Sequence, residues 1–241
     1  MEHKVRLKFI SDQEIIQLES GKVTAYKMEI EKFEFTEYGL EACVKREVSK
    51  EARTLLKQII VDKYQATNIS IKKRRGIRFG QPYALLEKDG NKVLVNTSIS
   101  HCENVIAVCA SENKLVGIDL QSKIKAEIGT LQVFLLPQER KILYKLAADT
   151  CASLEETATL IWTIKEALLK AVGIGFRYGF NSLMLRRIDW EKEEIDLLLS
   201  EKISGLFDQD EIINLYSSYL SCLSSGNRHI LTIAVMDSLK G

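Results

Sequence analysis

The sequence predicts an α+β protein organised as two halves, each with short strands and one long helix. Three features predict it. Short runs that alternate apolar and polar residues, the mark of half-buried strands, occur near the start, middle and end of the chain. Two longer stretches, Leu40–Tyr64 and Leu160–Gly175, carry apolar residues at helical spacing. The polar segment Ser111–Lys114 divides the chain so that each side keeps strands and one such helix.

Val5, Leu7 and Phe9 alternate with Arg6 and Lys8, and Tyr26, Met28 and Ile30 with Lys27, Glu29 and Glu31; both read as strands. Val44, Val48, Leu55, Leu56, Ile59 and Ile60 give the first long helix its apolar face. From Asn68 to Tyr83 the pattern is irregular and basic, closing on a Gly80-Gln81-Pro82 turn. Val93–Val95 reads as a strand, Asn96–His101 as a polar loop, and Val105–Ala110 and Leu115–Leu120 as two strands joined by the 111–114 turn. Helices follow at Ile128–Leu135 and at Gln138–Leu146, the second with Pro137 at its first turn. Ser153 is placed to cap the central helix. Leu183–Trp190, Ile195–Leu199 and His229–Val235 read as strands.

At 241 residues the chain can bury a large core, and 46% hydrophobic with 28% charged residues is the composition of a folded domain. A net charge of +1 gives no global field for nucleic acid or membrane, so any anion site is local. The cysteines Cys43, Cys102, Cys109, Cys151 and Cys222 are scattered and form no C-x-x-C, which argues against a zinc or disulfide framework and fits a reducing cytoplasm. No apolar run reaches membrane-spanning length.

The stretch Leu160–Gly175 is expected as one helix of about three turns, ended by Gly173. Ile161, Ile164, Leu168 and Val172 share a face; Glu166 and Lys170, four residues apart, share another. Alone, such a pair is a surface ion pair worth a few tenths of a kcal/mol. Asp119 puts a carboxylate inside an apolar strand, where it needs a backbone turn, a basic partner or a metal ion. With Glu166 beside it, Asp119 would suit Mg²⁺, a hard cation that takes one or two carboxylates plus water and phosphate. Ser98-Ile99-Ser100-His101 can offer hydroxyl and imidazole donors to a phosphate. The Lys72–Arg78 run is either a solvated face, a local anion site or a nucleic-acid contact.

In order along the chain, these pieces resemble the 4′-phosphopantetheinyl transferases of the Sfp type. Gly117-Ile118-Asp119 is similar to the family's G-[IV]-D strand end, and Trp162-Thr163-Ile164-Lys165-Glu166-Ala167-Leu168-Leu169-Lys170 to its W-[ST]-x-K-E-[AS]-x-x-K helix. Phe134–Arg140 resembles its F-[FL]-[ST]-x-x-E-[RK] segment, Ser98–His101 its N-[IL]-S-H loop, Gly80–Tyr83 its G-K-P-Y turn, and Arg53–Leu56 its R-x-L-L helix start.

The resemblance implies a pseudodimer: two similar α+β halves with the active site at their interface. It divides the chain into residues 1–113, contacting the nucleotide of coenzyme A, and 114–241, carrying the metal and the catalytic helix. It implies transfer of 4′-phosphopantetheine from coenzyme A to a serine of an acyl or peptidyl carrier protein, releasing adenosine 3′,5′-bisphosphate. Asp119 and Glu166 would hold Mg²⁺, with Gln121 where the family has an acid. Glu166 would also serve as base and Lys170 would neutralise the pyrophosphate; Arg53, Ser100 and His101 would contact the nucleotide phosphates. Gln81 and Ser98 stand where the family has Lys and Asn. The expected protein is cytoplasmic and monomeric, with no nucleic-acid or membrane partner. The alternatives are a catalytically degenerate protein that binds coenzyme A or a carrier, and a nucleic-acid binder using Lys72–Arg78.

Overall fold

The computed structural model describes residues 2–9, 23–29, 40–66, 68–78, 80–88, 90–103, 105–189, 191–206, 213–221 and 228–237. Ile30, Glu31, Trp190 and Cys222, which figure in the readings above, lie outside these. The elements are β1 (Glu2–Phe9), β2 (Val23–Glu29), α1 (Leu40–Tyr64), β3 (Asn68–Lys73), β4 (Pro82–Lys88), β5 (Asn91–Cys102), β6 (Val105–Ser111) and β7 (Leu115–Ser122). They continue as α2 (Ile128–Phe134), α3 (Pro137–Thr150), α4 (Leu154–Val172), β8 (Leu183–Asp189), β9 (Glu194–Leu199), α5 (Glu201–Ser204), β10 (Ile213–Ser221) and β11 (Arg228–Met236). The α+β class is as expected. Among the described residues no helix is long and apolar enough to cross a membrane.

Two sheets form, ordered β2-β6-β5-β4-β3 and β7-β11-β10-β1-β9-β8. Both follow one scheme: strand, long helix, then four strands, of which the last pairs with the first. The second sheet departs from it at one point. β1 inserts between β10, which it meets parallel, and β9, which it meets antiparallel. The sheets otherwise separate at the turn after Ser111, and β1 is the segment of residues 1–113 that sits in the second sheet.

Three cores follow from strand alternation. Leu56, Ile59 and Ile60 of α1 pack on Val95, Ile106, Val108 and Ala110. The opposite face of β6, with Val105, Ala107 and Cys109, packs between the sheets on Val116, Ile118, Leu120, Leu231 and Ile233. α4 covers the far face of the second sheet with Ile161, Ile164 and Leu168.

Several sequence readings are corrected here. α4 has 19 residues rather than about three turns, because Ser153 and Glu156 form a capping box that starts the helix at Leu154. It is buried on nearly every side, not along one stripe. Asn96–His101 is not a loop but the body of β5, and β3, β4 and β10 fall where strands were not expected.

Gly117 sets how closely α4 seats on β7. A Cβ there would overlap the Ala167 carbonyl oxygen and the Ala171 amide nitrogen of α4. Backbone cannot move aside as a side-chain tip can. Gly117→Ala is expected to cost more than about 3 kcal/mol of stability, read from urea unfolding; a loss within error of zero would contradict this seating.

Candidate active site

Three successive side chains on one face of β5 meet the open edge of β7. Ser98 Oγ accepts the Ile118 amide at 3.1 Å, Ser100 Oγ the Leu120 amide at 3.1 Å, and Cys102 Sγ the Ser122 amide at 3.2 Å. Asn96 Nδ2 donates to the Lys114 carbonyl at 3.0 Å. Polar residues at alternate positions of β5 thus satisfy a strand edge buried in the inter-sheet contact.

The same geometry brings Asp119 under α4. The ammonium of Lys170 donates to Asp119 Oδ1 at 2.6 Å, the Ile118 carbonyl at 3.1 Å and Ser100 Oγ at 3.2 Å, which uses all three of its protons. Glu166 Oε2 lies 3.8 Å from that ammonium. Ser100 also donates to Asp119 Oδ1 at 3.0 Å. One serine from the first sheet and three charged residues from the second sheet and its helix form a single cluster.

Its electrostatics are unbalanced, with two carboxylates for one ammonium. Burial pushes the Asp119 carboxyl above its ordinary value, against the pull of Lys170, Ser100 and the Leu120 amide. Burial and the negative charge of Asp119 push Glu166 up to about 7, with Lys170 opposing. Asp119 Oδ2 is buried and has no hydrogen-bond partner among the described residues. A buried carboxylate oxygen without a donor, beside a second carboxylate short of positive charge, fits a hard divalent cation. Among the described residues no three of His, Cys, Asp and Glu cluster as a ready-made metal site. Further ligands would come from Gln121, half-buried two residues along the same face of β7, from water, or from substrate oxygens.

Ser100 and His101 were expected to act together. Adjacent strand residues point to opposite faces, and the pair divides. His101 instead lines a cavity of about 450 Å³ with Arg53 of α1, Lys72 and Lys73. A second cavity, of about 320 Å³, is lined by Gly80, Gln81, Lys170 and Gly173. Pro82 and Ile99 line both, so the cleft runs from Lys170 to Arg53 and His101.

Four supporting residues were not foreseen. Lys165 and Glu139 are fully buried and paired at 2.7 Å. Glu139 also accepts the Leu136 and Leu185 amides, and Lys165 donates to the Phe134 carbonyl, so the pair ties α4 to α3 and β8. Both lie inside motif segments, yet nothing in the letters joins them. Gln81 donates to the Lys170 carbonyl at 2.9 Å and Arg78 to that of Ala171 at 3.4 Å, closing the end of α4 where Gly173 takes φ +82°.

Residues 115–233 match the family model described as ACPS, 4′-phosphopantetheinyl transferase superfamily. Over this segment, just under half of the chain, it is similar to the 4′-phosphopantetheinyl transferase superfamily. The segment contains Asp119, Glu139, Lys165, Glu166 and Lys170; Arg53, Ser100 and His101 precede it. The chain is also 27% identical over 137 residues to the 4′-phosphopantetheinyl transferase gsp of Aneurinibacillus migulanus, a match covering 55% of this chain and 53% of that protein. It thus spans about half the length of this curated relative.

Two outcomes follow for this site. Lys165→Met strands the Glu139 carboxylate and is expected to cost about 3–5 kcal/mol in urea unfolding; a loss under about 1 kcal/mol would contradict the pair's role. Glu166 prefers its neutral form in the fold, so its contribution to stability is full below its unfolded value of 4.5 and is lost as pH rises to about 7. In buffer with chelator, the unfolding midpoint should fall more steeply from pH 5 to 7 in wild type than in Glu166→Gln. Parallel curves would contradict the assignment.

Proposed function

We propose that the protein transfers the 4′-phosphopantetheine group of coenzyme A to a serine of an acyl or peptidyl carrier protein, releasing adenosine 3′,5′-bisphosphate. The observation that carries this reading is the Ser100–Asp119–Lys170–Glu166 cluster at one end of a cleft whose other end holds Arg53 and His101. Such a cleft suits a long polyanion with a pyrophosphate at one end and a nucleotide at the other. The equivalent strand order of the two sheets supports a pseudodimer, with residues 1–113 serving the nucleotide and 114–241 the transfer, and a chain holding both halves would work as a monomer.

In the transfer, the carrier serine oxygen attacks the pantetheine-side phosphorus of the coenzyme A pyrophosphate. The bond from that phosphorus to the bridging oxygen breaks, and adenosine 3′,5′-bisphosphate leaves. Glu166 accepts the serine proton at a carboxylate oxygen. Lys170 faces the departing phosphate with a fixed ammonium. Arg53 and His101 orient the nucleotide end of the cleft. Mg²⁺, which Asp119, Glu166 and Gln121 would hold, supplies charge neutralisation at the pyrophosphate.

Gln121 favours a second reading: a neutral amide in place of an acid weakens cation binding, and would leave a protein that binds coenzyme A or a carrier without transfer. Incubation with coenzyme A, Mg²⁺ and a panel of apo-carriers separates the two. The transferase reading expects a mass gain of one phosphopantetheine on serine with equimolar adenosine 3′,5′-bisphosphate. Glu166→Gln is expected to lower kcat by about 10²–10⁴-fold with unchanged folding. Coenzyme A binding without product, or full turnover in Glu166→Gln, would contradict it.

A further inference from the structure

Ser100 was expected from sequence to give its hydroxyl to a nucleotide phosphate. In the fold that hydroxyl is already committed. Its proton goes to Asp119 Oδ1 at 3.0 Å. Its lone pairs accept the Leu120 amide at 3.1 Å and the Lys170 ammonium at 3.2 Å. A serine hydroxyl has one proton to donate and two lone pairs to accept with, so Ser100 is saturated inside the protein. It is also buried. Ser98 and Ile99 line the Lys170 end of the cleft and His101 the other end, but Ser100 is not among the described residues that line either cavity.

The consequence falls on Asp119. Its Oδ1 takes two side-chain donors, Ser100 from β5 and Lys170 from α4. Its Oδ2 is buried and takes none among the described residues. Two donors from different elements fix the plane of a carboxylate; one alone leaves it free to turn about its Cβ–Cγ bond. An unsatisfied buried oxygen would then turn to meet the ammonium, because leaving it bare is costly. Ser98 is the internal contrast. It is buried on the same face of β5 and accepts the Ile118 amide at 3.1 Å, the same seam bond that Ser100 makes to Leu120. What sets Ser100 apart is the proton it gives to Asp119.

We infer that Ser100 is a positioning residue: it holds the Asp119 carboxylate with Oδ1 on Lys170 and Oδ2 left for a hard divalent cation, and it touches no phosphate itself. Groups that hydrogen-bond a ligating carboxylate act at one remove, by orienting the ligand. A residue of the first sheet thereby completes a cation site whose own ligands, Asp119, Glu166 and Gln121, all lie in the second half of the chain. This role takes its Mg²⁺ from the transferase reading, and the two can fail separately.

Ser100→Ala and Ser98→Ala each remove one hydroxyl from the seam, and only the first removes a donor from Asp119. Mg²⁺ binding to the full chain, followed by calorimetry without coenzyme A, should weaken about 10–100-fold in Ser100→Ala. It should match wild type in Ser98→Ala, although both variants lower the melting temperature. Ser100→Thr, which keeps the hydroxyl on a residue suited to a strand, should regain most of the affinity. With a carrier that wild type modifies, Ser100→Ala should lower kcat and leave the KM for coenzyme A unmoved. A raised KM for coenzyme A with wild-type Mg²⁺ affinity marks a phosphate contact and overturns the positioning role. Equal loss of Mg²⁺ affinity in the two alanine variants reduces Ser100 to a seam residue and overturns it too, as does a wild-type protein that binds no Mg²⁺. If wild type modifies a carrier and Ser100→Ala equals it in Mg²⁺ affinity and kcat, the role is overturned and the transferase reading stands. If wild type modifies no carrier while Ser100→Ala alone loses Mg²⁺, the transferase reading fails and the role of Ser100 is upheld.

Discussion

The close seating of α4 on β7 is the contact on which the rest of the structure depends. It requires bare backbone at Gly117, and it lowers Lys170 onto Asp119 and the Ile118 carbonyl. With that distance fixed, the remaining constraints orient the helix. The buried Lys165–Glu139 pair holds one flank to α3 and β8, and Gln81 and Arg78 hold its C-terminal carbonyls to the first half of the chain. Glu166, between these anchors, has little freedom to leave the cluster.

The two sheets are joined where peptide edge meets hydroxyl. Ser98 and Ser100 face the β7 edge with oxygen, and Cys102 extends the pattern with sulfur. Ser100 belongs both to this seam and to the charged cluster, so the relation between the halves and the geometry of the site are set by one side chain. Any motion of one sheet against the other would alter the Asp119 environment. The excess negative charge of the cluster then becomes a binding property: a site holding two buried carboxylates and one ammonium favours an incoming cation and, through it, a polyphosphate.

Local rules were legible where one residue decides the outcome. Ser153 and Gly173 cap α4, Pro137 opens α3, and Asp119 in an apolar strand does have a basic partner. The expected length of α4 fell short because Leu154–Thr159 looks polar, although its Ser153 cap was legible. β5 was misread because Asn, Ser and His at successive positions resemble a loop; here the even positions face a peptide edge, which asks for hydroxyls rather than methyl groups. β10, with Ser217 and Ser218 inside it, was hidden likewise, its Ser217 bonded to Thr232 beneath α4. The insertion of β1 and the Lys165–Glu139 pair depend on contacts distant in sequence, which spacing cannot reveal. The meeting of Asp119 and Glu166 was expected from motif resemblance and is seen as proximity to one ammonium.

That shared environment is open to direct observation by carbon-13 NMR of the Glu166 carboxyl, assigned by its loss in Glu166→Gln and titrated with and without Mg²⁺. The account predicts a midpoint near 7 in metal-free protein, moving to lower pH when Mg²⁺ is added. An ordinary glutamate midpoint of about 4.3, indifferent to Mg²⁺, would contradict it.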